Sequence, residues 1–171
     1  RAAQWKHLER NPVFDKEELE AITDAGIKRL QNMQIGDGGW GWFSGHWERS
    51  YPHTTAVVVH GLQQAQAADV ELPEGMLDRG VEWLKRYQEG EVLKIKNAEL
   101  KVEPYKTKAD NLDALVYMVL ADAGHKHDEM MDFLYRDKND LAVYSKAMFG
   151  LALHKQGEQE TTEMLLTNMD K

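Results

Sequence analysis

Gln34-Ile35-Gly36-Asp37-Gly38-Gly39-Trp40-Gly41-Trp42-Phe43 places four glycines and three aromatic rings within ten residues. Glycine takes positive φ at no steric cost, so this run lets the chain reverse sharply. Asp37 can accept from nearby backbone N–H groups and hold the turn. Trp40 and Trp42 each offer a large flat surface with one N–H, suited to covering a helix end. Gln34 falls at the end of the preceding helix, where its amide can meet orphan carbonyls or an indole N–H. The set Gln34, Asp37, Gly38, Gly39, Trp40 and Trp42 therefore reads as a clasp between two helices. A phosphate loop is the poorer reading, because no strand precedes it and no Lys-Ser/Thr follows.

Working outward, the segment before the clasp is an amphipathic helix. It opens at Asp15, with Glu17 and Glu18 near its positive end. Leu19, Ile22, Gly26, Ile27, Leu30 and Met33 recur at threes and fours, which gives one apolar stripe. Residues 1–14 form a polar N-terminal segment of undefined structure, with Trp5 and Leu8 as its large apolar residues and Pro12 interrupting it. After the clasp, His53 to Ala68 is a second helix of another kind. Ala56, Val57, Val58, Val59, Leu62, Ala65 and Ala67 wrap most of it, the pattern of a buried helix. Its alanine-rich continuation favours helix over strand despite three adjacent valines.

A stripe returns from Pro73 with Leu77, Gly80, Val81, Leu84 and Tyr87. Glu91 to Lys108 is charged and without a clean period, and is expected to be an exposed loop or a contact to a neighbouring domain. Asn111 to Ala123 is strongly apolar, with Gly124 as its C-cap. Asp128 to Arg136 is a short charged helix carrying Met131, Leu134 and Tyr135. Leu141 to His154 is a third all-round apolar helix ended by Gly157, and Glu158 to Met169 closes the chain as a stripe helix. Seven helices result, alternating stripe and buried.

An internal repeat supports the alternation. Asp24-x-Gly26-Ile27-x-x-Leu30-x-x-x-Gln34 matches Asp78-x-Gly80-Val81-x-x-Leu84-x-x-x-Gln88, each copy expected to end in a glycine-containing loop. Repeated helical hairpins bury their apolar faces only against one another. The expectation is an all-α arc of hairpins over residues 1–171, a single domain, with buried helices inside and stripe helices outside.

The motif Gln34-x-x-Asp37-Gly38-x-Trp40 resembles the glutamine–tryptophan motif of α/α-toroid proteins: triterpene cyclases, protein prenyltransferases and thioester domains. The string Asp37 to Phe43, then Thr55-Ala56-Val57-Val58-Val59-His60-Gly61-Leu62, then Gly80-Val81-Glu82-Trp83-Leu84, is similar to bacterial alpha-2-macroglobulin thioester domains. Tyr144 to His154 is similar to their last buried helix. The resemblance runs from about Asp15 onward. It implies a partial α/α-toroid excised from a protease-trapping protein, located in the periplasm, cell envelope or outside the cell. It also implies neighbouring domains and target proteases as partners, and apolar surface at the cut edge that favours self-association. A family thioester needs a Cys-x-Glu-Gln motif, and the 171 residues contain no cysteine. The acyl-relaying histidine of some relatives would fall between Glu91 and Lys108, where none stands. No catalytic residue is therefore assigned. A cyclase or transferase fragment, or a generic helical-repeat binding module, are the alternative readings.

Composition narrows the chemistry further. A net charge of −8 disfavours nucleic acid and anionic membranes. The missing cysteines remove disulfides, thiolate catalysis and Cys-ligated zinc. Asp110-x-x-Asp113 lacks the cyclase acid spacing and is better read as helix capping. His125-x-His127-Asp128 is read as a solvated loop rather than a metal site. His46, His53 and His60 flank the clasp and are read as packing or capping residues before a pocket. His7 and His154 carry no functional reading. Trp40, Trp42 and Trp47 are read as structural before a ligand-stacking floor. No metal and no cofactor are expected.

Overall fold

The computed structural model describes residues 16–43 and 47–169. Trp5, His7, Leu8, Pro12, Asp15 and His46 lie outside the described residues. Among the described residues seven α-helices follow one another: α1 (Lys16–Met33), α2 (Pro52–Ala67), α3 (Met76–Leu100), α4 (Asn111–Asp122), α5 (Asp128–Arg136), α6 (Val143–Lys155) and α7 (Gln159–Met169). The described residues contain no strand, only an antiparallel bridge between Gln34 and Trp40.

Local chemistry fixes the helix ends. Pro52 starts α2, where its missing N–H costs nothing. Asp110 accepts from the backbone N–H groups of Leu112 and Asp113, and Asp113 answers by accepting from Asp110, a full capping box. Replacing Asp110 by alanine is expected to lower stability by about 1 kcal/mol in urea unfolding. Gly124 and Gly157 end α4 and α6 at positive φ. At each end the next residue's N–H returns to the carbonyl five back: His125 to Leu120 and Glu158 to Leu153.

The helices pack in two layers. α4 is the centre and touches α2 on one side and α6 on the other. α3 lies against α2 and α4, α5 against α4 and α3, and α7 against α6. α4 and α6 run in the same direction: Ala142 N–H donates to Asn111 Oδ1 near their starts, and Lys155 meets Asp122 near their ends. Tyr117 and Phe149 meet edge to face between them. The core comprises Trp40, Val59, Leu62, Leu84, Tyr117, Leu120, Met130, Leu134, Phe149, Leu153 and Leu165, among others.

Several expectations need correction. Residues 91–100 are not a loop, because α3 continues to Leu100. Its inward face there is Gln88, Glu91, Val92 and Ile95, all buried. Two polar residues on that face break the apolar stripe, so the period is lost in the sequence. For the same reason the repeat fails at its end: Gly90, after Gln88, is helical. Of the three helices expected to be buried all round, only α4 is, from Asp113 through Ala121. Val57 of α2 is 51% exposed and Leu151 of α6 is 63% exposed, since each of these helices has α4 on one side only. The α1 stripe is only half covered: Ile27, Leu30 and Met33 pack against the core, while Ile22 is exposed. In α5 it is Met130, not Met131, that joins Leu134 in the core.

Candidate functional site

The glycine–tryptophan turn is built around a buried indole. Trp40 is 1% exposed. Its Nε1–H donates to the Leu30 carbonyl at 2.8 Å, which meets one of the orphan acceptors at the end of α1. Its backbone N–H donates to Thr55 Oγ1 at 3.0 Å, and its carbonyl accepts from Tyr51 N–H at 2.9 Å, which ties it to the start of α2. The far edge of the ring rests on Gly80 of α3. A Cβ there would come within 2.8 Å of Trp40 Cζ3 and 2.7 Å of Val59 Cγ2. One residue thus ties three helices together, its indole reaching α1 and α3 and its backbone α2.

Gln34 and Asp37 complete the turn. Gln34 Nε2 donates to the carbonyls of Gly38 and Met76, both at 2.9 Å, and its Oε1 accepts from Arg79 at 2.6 Å. Asp37 Oδ1 accepts from Gly39 N–H at 3.1 Å and from the Ser50 hydroxyl at 2.6 Å. Its Oδ2 accepts from the Trp83 indole at 3.0 Å, and its carbonyl accepts from Arg86 at 2.8 Å. Gly38 sits at φ +100°, against the Arg79 backbone. Gly39 leaves room for Ser50.

The electrostatics of Asp37 follow from these bonds. Burial pushes its carboxyl up, but Ser50, Gly39 N–H, Trp83 and the Arg86 charge together outweigh that and hold it below its usual value. A depressed pKa stabilises the fold above the unfolded value of 3.8, and this contribution is lost as pH falls through the folded value. The acid limb of an unfolding-midpoint profile is expected to flatten in Asp37→Asn. A limb as steep as in the unsubstituted chain would show that Asp37 does not carry it.

The structure brings together Gln34, Asp37, Gly38, Gly39 and Trp40, but not Trp42. Trp42 is 63% exposed, its ring set edge to face against Tyr51 and its backbone N–H donating to Glu48, while Trp47 is 100% exposed. The sequence reading missed Ser50, Thr55, Arg79 and Arg86 as partners of the turn. The one available signal was Gly80 on the α3 stripe, a gap in an apolar face where a large ring fits.

The remaining candidates do not converge. Among the described residues no group of three His, Asp or Glu side chains is placed to hold a metal. His127 Nδ1 accepts from Met130 N–H and caps α5, with the His125 ring set against it edge to face. His53 is exposed, whereas His60 faces Asp122 at 3.8 Å. His60, Asp122 and His154 line one cleft with Met118, Leu151 and Lys155, and Lys155 already occupies Asp122 at 2.7 Å.

The same helical arrangement occurs in a crystal structure of native alpha-2-macroglobulin from Escherichia coli, spanning domain MG7 to the C-terminus. The match covers 90% of this chain with a TM-score of 0.68 and 24% sequence identity. A sequence match to the alpha-2-macroglobulin of Thermotoga maritima extends over 74 residues at 35% identity. This chain resembles bacterial alpha-2-macroglobulin. A second E. coli alpha-2-macroglobulin structure, activated by porcine elastase, matches at a TM-score of 0.67 and 25% identity over 90% of this chain. The likeness covers a small part of each alpha-2-macroglobulin: 5% of the Thermotoga protein and 24% and 13% of the two E. coli chains. No protein-family profile matches this chain.

Proposed function

We propose that this chain is part of the helical thioester-type domain of an alpha-2-macroglobulin-like protease-trapping protein. Its role there is structural and interactive, not catalytic, and its parent works in the periplasm, the cell envelope or outside the cell. The observation that carries this reading is the two-layer helical match over 90% of the chain to E. coli alpha-2-macroglobulin. The glycine–tryptophan turn supports it as an internal lock among α1, α2 and α3. Further helices of the parent complete the ring and cover Val57, Val143, Tyr144 and Leu151, large apolar residues exposed on α2 and α6. Among the described residues no helix is long and apolar enough to cross a membrane.

The test uses the longer protein that contains this region, incubated with porcine elastase as the probe protease. Trapping predicts that elastase elutes with the protein on size exclusion, still cleaves a small peptide substrate, and no longer cleaves a large protein substrate. Unchanged digestion of the large substrate would reject the trap. The isolated 171-residue chain is expected to show concentration-dependent self-association in sedimentation velocity, driven by the exposed apolar edges. A single monomeric species across concentration would show that those edges need no cover.

A further inference from the structure

We propose that the face of α1 around Gly26 is a receptor for a large aromatic ring, carried by a helix-joining turn of the longer protein upstream of Arg1. This rests on the reading of the chain as part of a longer helical domain. The internal repeat supplies the register. It lays Ile22, Gly26, Ile27 and Leu30 of α1 onto Met76, Gly80, Val81 and Leu84 of α3. In α3 this whole stripe is buried, with Met76 and Leu84 fully enclosed. Two groups close it over Gly80: the ring of Trp40, from the turn before α2, and Val59 of α2 itself. In α1 the same stripe has no buried residue. Ile22 is 55% exposed, and a Cβ built on Gly26 would meet nothing within 4 Å.

A glycine inside a helix is less favourable than alanine, and its use is to let another group approach the backbone closely. At Gly80 that use is visible, because a Cβ there would lie 2.8 Å from Trp40 Cζ3 and 2.7 Å from Val59 Cγ2. Open space alone does not mark such a site, since Gly61 is equally open. The register does: Gly26 has the same apolar neighbours on α1 that Gly80 has on α3. A flat ring suits that gap, with Ile22 and Leu30 to either side. The direction of the observed contact identifies the source. Trp40 lies in the turn between α1 and α2 and reaches forward to α3, the next stripe helix. By the same sense, the ring that reaches α1 comes from the turn one hairpin earlier. Trp40 stands forty residues before Gly80, and that spacing counted back from Gly26 falls upstream of Arg1.

Hydrogen exchange of the α1 amides, read by mass spectrometry on the 171-residue chain and on the longer protein that contains it, tests this. In the 171-residue chain Gly26→Ala is expected to slow exchange roughly two- to fivefold, because alanine favours the helix and its Cβ meets nothing. In the longer protein the same substitution is expected to speed exchange roughly fivefold or more, because the Cβ meets the seated ring. Gly80→Ala in the 171-residue chain marks the occupied case and should speed exchange in α3. Alanine in place of the aromatic residue about forty positions before Gly26 is expected to abolish the reversal in the longer protein. Slower exchange in both proteins overturns the proposal, because the face is then open in the parent. Faster exchange in both places the cover within these 171 residues and overturns the upstream source. The absence of any aromatic residue in that upstream turn, or a reversal that survives its replacement, overturns the proposal equally. Elastase trapping is a separate readout, so the trap can fail while the receptor stands, and the reverse.

Discussion

Replacing Trp40 by alanine is expected to lower the stability of this chain by about 4 kcal/mol, the range for deleting a fully buried tryptophan. Among the described residues the ring is the largest wholly buried side chain, and it rests on Gly80 of α3 with Val59 of α2 beside it, so its removal opens a cavity that these helices cannot close. It also leaves the Leu30 carbonyl at the end of α1 without its indole donor. For a chain of this length the thermal midpoint should fall by roughly 2–4 °C for each kcal/mol. Trp42→Ala is the matched control. Trp42 has the same chemistry two residues along but stands mostly in solvent, so its change should stay within about 0.5 kcal/mol. Equal losses for the two variants, measured by urea unfolding, would show that the turn does not depend on the buried ring.

Gly38→Ala should cost about 3 kcal/mol, for two reasons that act together. Gly38 sits at φ +100°, a conformation that a side chain strains. Its added Cβ would also lie 2.6 Å from the Arg79 carbonyl oxygen, and that oxygen is backbone within α3, so it cannot swing aside. Displacing α3 there also disturbs Arg79, which bonds Gln34, and Trp83 and Arg86, which bond Asp37. Gly61→Ala predicts the opposite sign. Gly61 lies inside α2, at negative φ, with nothing within 4 Å of the added carbon. That variant should gain about 0.5–1 kcal/mol from reduced chain entropy and better helix propensity. A neutral Gly38→Ala would mean that the α1–α2 turn and α3 are not held in contact.

Much of this architecture is legible in residue order. Leu19, Ile27, Leu30 and Met33 recur at helical spacing, and the run from Leu112 through Ala121 is apolar apart from Asp113, so the first segment reads as an amphipathic helix and the second as a buried one. The Asp110–Asp113 spacing announces a capping box, and Gly124 and Gly157 announce left-handed stops. The C-terminal half of α3 was not legible. Gln88 and Glu91 occupy its buried face, and polar side chains there erase the periodicity that marks a helix.

The turn divides in the same way. Gln34, Asp37, Gly38 and Trp40 are neighbours in sequence, and their short-range bonds follow from spacing. Arg79, Trp83 and Arg86 are more than forty positions away from the residues they bond. They arrive only because α3 packs back against α2.

Sequence alone determined most of the helical segments, because local spacing and apolar content act within a few residues of chain, but it read three helices as enclosed where packing encloses only α4. Tertiary structure decided which aromatic ring is buried, which helices keep an open edge, and that Lys106 meets Glu91 and Asp113. Each of those depends on what lies across a packed interface, and that neighbour is set by how the helices cross, not by spacing along the chain.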